Sequence, residues 1–286
     1  MDLTGRRKST NVEDRRGMSK GKIGGGLGIG AIVIAAIVYF ATGDLGKGMQ
    51  VLQSQGSQYE LASGYQPTAE EEELATFASQ ILAGTEDVWS DIFRSMGKTY
   101  VPPKLVLFSG QVTSGCGGAT SQSGPFYCSA DQTVYLDLSF FTKMKEQFGA
   151  DGDFAYAYVI AHEVGHHVQY LLGDLGAAHR KMSQVSEKES NKISVRLELQ
   201  ADFYAGVWAY NDNKMFGSLE DGDIDEGLAI AAKIGDDYLQ QRSYGRTMPE
   251  SFNHGTSAQR SRWLKKGIST GDIRQGDTFS PAYERL

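Results

Sequence analysis

Residues 23–43, IGGGLGIGAIVIAAIVYFATG, run for 21 positions without a charged side chain. At about 1.5 Å per residue, a helix of that length reaches roughly 30 Å, the thickness of a bilayer core. The run therefore predicts one transmembrane helix. Its flanks predict an orientation. Residues 1–22 carry Arg6, Arg7, Lys8, Arg15, Arg16, Lys20 and Lys22 against Asp2, Glu13 and Asp14, and beyond the run Lys47 is the only basic residue before Arg94. By the positive-inside rule, residues 1–22 form a cytoplasmic basic tail and the rest of the chain is exported. A globular core helix rarely goes so long without a charge. A cleaved signal peptide is the closer rival, but the region before the apolar run is long and no clear A-x-A site follows. The reading is an uncleaved, single-pass anchor in the inner (cytoplasmic) membrane, with the following domain periplasmic or extracytoplasmic.

The only two cysteines fit export. Cys116 and Cys128 stand in SGCGGATSQSGPFYCSADQ, a glycine- and serine-rich loop. In an oxidising compartment such a pair predicts a local disulfide, worth roughly 3 kcal/mol on the chain-entropy model. Their spacing is far from that of a zinc-binding pair. The net charge of -7 argues against a general nucleic-acid binder, which needs a basic field to neutralise phosphates.

Residues 44–67 read as a linker, and 68–286 as one domain. Thr68 and Glu71 form a capping-box pattern, and apolar residues at helical spacing follow. A helix is predicted over about 69–96. YVPPKLVLFSG and TVYLDLSFF read as strands around the cysteine loop, the second feeding a short helix near 139–148. A helix is expected over 153–172 and closes at Gly173. A polar stretch covers 174–190. Further helices are predicted at about 190–212 and 223–241, with a short one after HGTSAQR. The fold class is α+β and helix-rich, with a few strands gathered before residue 153.

HEVGHHVQ, residues 162–169, holds three of the five histidines. Residues four apart on a helix share a face, so His162 and His166 can grip one tetrahedral zinc. Glu163, next to the first, can stand beside the metal and take a proton from water. His167 points away from that face and reads as surface or core filling. In RLELQADFYAGVWA, Glu198 and Asp202 are also four apart, in an otherwise apolar stretch that leaves little room for idle charge. One carboxylate can complete the zinc site, and the other can accept the free N–H of a ligating histidine. His254, six residues before Arg260, either stabilises an oxyanion or is a surface histidine at a helix start. His179 reads as a bland surface residue.

HEVGHHVQ, LELQAD and HGTSAQR, together with SGCGGATSQSGPFYC and VYLDLSFF, resemble the bacterial neutral zinc metallopeptidase family. The resemblance covers most of 68–270 and includes the N-terminal membrane anchor. More widely, H-E-x-x-H with E-x-x-x-D is similar to the gluzincin metalloproteases. This resemblance implies a zincin-like domain with a small sheet beside the active-site helix. It implies one Zn2+ per chain, held by His162, His166 and Glu198, with Asp202 orienting a zinc histidine. It also implies catalytic roles for Glu163 and His254, and a peptide or protein substrate. His254 to Arg260 resembles the H-P-x₄-R pattern of membrane-associated gluzincins, with Gly255 in place of the proline. The metzincin third histidine is absent, since that position is Leu172. The resemblance further suggests that residues 133–137 pair with an extended substrate backbone, with the cysteine loop shaping the cleft entrance. A catalytically silent zinc protein that binds partners at the envelope, and a zinc hydrolase of non-peptide bonds, are the alternatives.

Overall fold

The computed structural model describes residues 1–20, 59–61, 65–149 and 152–286. The uncharged run 23–43 lies outside these residues. Among the described ones, no helix is long and apolar enough to cross a membrane. The chain divides into two units, one of residues 1–11, 76–103 and 141–286, the other of 12–75 and 104–140.

The second unit carries the sheets. Strands β1 (Val12–Asp14), β4 (Lys104–Phe108), β8 (Thr133–Asp137) and β7 (Phe126–Cys128) form one sheet in the order β1-β4-β8-β7. β4 is parallel to both β1 and β8, and β7 runs antiparallel to β8. The two inner strands read LVLF and TVYLD and are buried on both faces, as a short unbroken apolar run predicts for a central strand. β5 (Gln111–Ser114) and β6 (Gly117–Thr120) make a hairpin, and β2 (Met18–Lys20) pairs antiparallel with β3 (Tyr59–Leu61). Cys116 and Cys128 form the expected disulfide. It lies in a small apolar cluster with Val106, Phe108, Val112 and Tyr135.

Three expectations are corrected here. Residues 1–22 are not a tail apart from the domain. Val12–Asp14 pair with Leu105–Leu107, and residues 18–20 pair with 59–61. Both flanks of the run 23–43 thus enter the same unit. Part of the supposed 44–67 linker is strand for the same reason. Third, β8 has a strand on each side over Thr133–Tyr135. Its backbone there is already used, so it is not a free edge for a substrate strand.

The first unit is helical. α1 (Ala69–Ser95) begins in the sheet unit, where Thr68 and Glu71 close the predicted capping box in both directions. α2 (Ser139–Phe148) and α3 (Asp153–Leu172) fall where the periodicity puts them, and Gly173 closes α3 with φ 92°. The polar stretch 174–190 is not a plain connector. It contains α4 (Asp174–Met182) and the start of α5 (Glu187–Phe216). The helix expected over 223–241 is two, α6 (Asp223–Lys233) and α7 (Asp236–Tyr244). The break falls at Gly235, where a Cβ would lie 2.3 Å from the Ser257 nitrogen. That nitrogen opens α8 (Ser257–Thr270), capped by Thr256 and Gln259.

Residues 1–11 are bound into this unit. Arg6 makes two bonds to the fully buried Asp212, at 2.7 and 3.2 Å. Arg7 reaches Asp87 at 2.6 Å, and Ser9 and Asn11 both donate to Glu86. Some of the basic residues read as a cytoplasmic tail are here paired with carboxylates of the fold.

Candidate metal centre

Two helices meet to build the site. Gly165, inside HEVGHHVQ, faces α5. A Cβ there would come within 2.9 Å of the Ala201 carbonyl oxygen and 3.1 Å of its Cα. Only a hydrogen fits, so the backbones of α3 and α5 approach closely between His162 and His166. That approach brings Glu198, one turn before Asp202, against both imidazoles. His162 Nε2 lies 3.2 Å from Glu198 Oε2, and His166 Nε2 lies 3.5 Å from Oε1. One ligand atom from each of the three residues falls within 4.8 Å of the others.

This arrangement fits a zinc ion. Ligands at about 2.0–2.1 Å in a tetrahedron stand roughly 3.3 Å from one another, close to the separation of each Nε2 from its own Glu198 oxygen. The charges fit as well. Burial would lower the His162 pKa, but Asp202 and Glu198 outweigh it and raise it to about 10. Burial would likewise raise Glu198, yet the two histidines and His254 hold it well below the carboxylate range. Without a metal, a proton supplies the positive charge that these anions demand. A dication would meet the same demand.

The outer contacts separate the two carboxylates that helical spacing alone left equivalent. Asp202 turns away from both Nε2 atoms, and its Oδ1 meets His162 Nδ1 at 2.8 Å. It is itself held fast. Tyr158 donates to Oδ1 at 2.5 Å, and Arg260 donates from Nε and Nη2 to the two oxygens at 2.9 Å each. All four groups are buried. Burial works against the Asp202 charge, but Arg260 and His162 keep its pKa low. On the other histidine, His166 Nδ1 meets Gln169 Oε1 at 2.9 Å.

Glu163 is buried on α3 beside His162. Among the described residues its carboxylate has no hydrogen-bond partner, which leaves it open to a water or a substrate proton. His254 is half-exposed, at 51% for its side chain. Its loop is clamped by Asp236, whose Oδ2 accepts the backbone N–H of Asn253, His254 and Gly255 at 2.7–2.9 Å. Asp236 Oδ1 lies 3.2 Å from His254 Nδ1. Burial opposes the raised His254 pKa, and Asp236 and the charge of Glu198 produce it. His254 therefore lies within electrostatic reach of the cluster. Gly255 has φ 96°, a value closed to proline, which accounts for the departure from H-P-x₄-R.

Of the two readings of His167, surface or core filling, the structure shows core: it is fully buried and its Nε2 donates to the Val101 carbonyl at 2.7 Å. His179 is an exposed residue of α4, its pKa lowered by partial burial and by the charge of His166. The sequence reading missed Gly165, Tyr158, Gln169 and Asp236. Gln169 had a local signal, three residues after His166 and so on the same helical face. Tyr158, four residues before His162 on the same predicted helix, had a similar one, and Asp236 had none.

The family model described as "Putative neutral zinc metallopeptidase" matches residues 1–279. The uncharacterized protein YpfJ of Escherichia coli K12 is 48% identical over 285 residues, covering 98% of this chain and 99% of its own. The uncharacterized protein Rv2575 of Mycobacterium tuberculosis is 49% identical over 193 residues, covering 64% of each chain. No solved structure matches significantly.

Proposed function

The chain belongs to this neutral zinc metallopeptidase family, and on that premise we propose that it hydrolyses peptide bonds at the His162, His166 and Glu198 cluster. The observation that carries the reading is the convergence of three ligand atoms within 4.8 Å, beside a buried glutamate whose carboxylate has no hydrogen-bond partner among the described residues. His162, His166 and Glu198 would hold one zinc ion. When bound, zinc would acidify water and polarise a carbonyl. Glu163 takes the proton of the attacking water and passes it to the leaving amine. His254, oriented by Asp236, donates toward the oxygen on which negative charge builds. Asp202, gripped by Arg260 and Tyr158, keeps the proton of His162 on Nδ1 and leaves Nε2 free to ligate.

Membrane attachment through residues 23–43 remains part of the proposal. The charge-free run supports it, and the disulfide supports an oxidising compartment. The pairings of residues 12–14 and 18–20 support both flanks lying on one side.

The test is zinc content by elemental analysis, paired with a casein and peptide-library digest, on the full chain and its Glu163→Gln variant. One zinc in both and cleavage by the wild type alone is the expected result. Zinc in both without peptide cleavage would move the reading to a silent zinc protein or, if esters are cut, a non-peptide hydrolase. A folded, metal-supplied chain without zinc would overturn it.

A further inference from the structure

The geometry points to Gln169 as the positioning residue that sets the proton on His166, through a one-directional relay that continues through Gln200. This inference rests on the zinc reading of the cluster.

His166 Nδ1 and Gln169 Oε1 are 2.9 Å apart. An amide offers a donor at one end and an acceptor at the other, and the two ends look alike in outline. Here the surroundings remove that freedom. Gln169 Nε2 donates to the Leu197 carbonyl at 2.7 Å and to Gln200 Oε1 at 3.0 Å. A backbone carbonyl can only accept. Reversing the Gln169 amide would set its oxygen against that carbonyl in a fully buried position, where an unmade bond is costly.

Gln200 is held in the same sense. Its Nε2 donates to Asp174 Oδ2 and to the Gly276 carbonyl at 3.2 Å each. Its oxygen therefore has to face Gln169. The chain of donors runs His166 to Gln169 to Gln200 to Gly276, and it starts from a protonated Nδ1. His166 Nε2, the atom facing Glu198, is left with its lone pair directed at the cluster.

The two histidines thus reach one tautomer by different means. His162 donates to a carboxylate that is itself locked by Arg260, whereas His166 donates to a neutral amide locked by backbone carbonyls. Neither Gln169 nor Gln200 belongs to the three-residue ligand set. Their influence on a metal passes through His166 alone.

The test uses the full chain with Gln169→Met, Gln200→Met and wild type. Zinc affinity is measured by chelator competition, and the melting temperature of the metal-free protein serves as a control for packing. Loss of the acceptor in Gln169→Met should weaken zinc roughly 10–100-fold. Gln200→Met, which touches neither His166 nor the cluster, should weaken it in the same direction by less. Affinity within twofold of wild type in Gln169→Met, with only the metal-free melting temperature lowered, would reduce the amide to core packing and overturn the relay. Should Gln169→Met not fold, nitrogen-15 histidine spectra of the wild-type protein decide. With the ring neutral, the expected tautomer of His166 carries its proton on Nδ1, and a proton on Nε2 overturns the inference. That spectrum reads the relay even if the wild type binds no zinc, an outcome that would count against the zinc reading alone.

Discussion

Arg260 grips Asp202 at both carboxylate oxygens, Nε to Oδ2 and Nη2 to Oδ1, at 2.9 Å each and out of reach of solvent. The pair sits behind His162, so its worth is positional as well as energetic. Removing one member of a buried ion pair leaves an uncompensated charge and costs about 3–5 kcal/mol. Arg260→Met should therefore lower stability by that order in urea unfolding and weaken zinc binding. Arg260→Lys keeps the charge but not the two-pronged fit, and should fall between. Unchanged zinc affinity in both variants would show that Asp202 holds His162 without help.

Gly165 allows the helices to touch. Gly165→Ala would place a methyl 2.9 Å from the Ala201 carbonyl, so α3 and α5 must separate. Overpacking of this kind costs about 1–3 kcal/mol. The expected result is a folded, helical chain with all three ligand residues present and zinc binding sharply reduced. Circular dichroism and chelator competition measured together check it, and full zinc affinity would contradict it.

His167 predicts an acid-sensitive fold. Burial lowers its pKa to about 4, despite its bond to Val101, against about 6.5 in an unfolded chain. Above pH 6.5 the ring is neutral in both states and its contribution is complete. As pH falls from there toward 4, only the unfolded chain takes the proton, and roughly 3 kcal/mol of stability is lost. His167→Gln should lack this loss. Unfolding curves of both metal-free proteins between those pH values decide, and identical acid profiles would contradict the assignment.

The N-terminal pairings predict membrane sidedness. Thr4 and Lys98 are both exposed, and the native cysteines are joined in a disulfide. Single Thr4→Cys and Lys98→Cys chains, treated in intact cells with an impermeant maleimide, should both label or both stay protected. Labelling of Lys98→Cys alone would restore the single-pass arrangement with a cytoplasmic N-terminus.

Much of the site was legible because it is local. The H-E-x-x-H spacing, the Gly173 stop and the Thr68–Glu71 cap each depend on residues within one or two helical turns, where backbone geometry alone fixes which side chains meet. The cysteine pair, 12 residues apart in a turn-rich loop, is of the same kind. Tertiary structure decided the rest. Glu198 and Asp202 share one helical face, so periodicity could not say which is the ligand. They are told apart by how α5 lies against α3, and the two helices approach closely at Gly165. Arg260 and Asp236 reach the site across 58 and 18 residues to their partners, and no local rule carries that information. The N-terminal basic residues show the limit most clearly. Their charge pattern reads as membrane orientation, yet Val12–Asp14 pair with a strand some ninety residues away, and Arg6 finds a buried aspartate in α5. A charge in a sequence has a sign but no partner, and only folding, which must neutralise whatever it buries, supplies one.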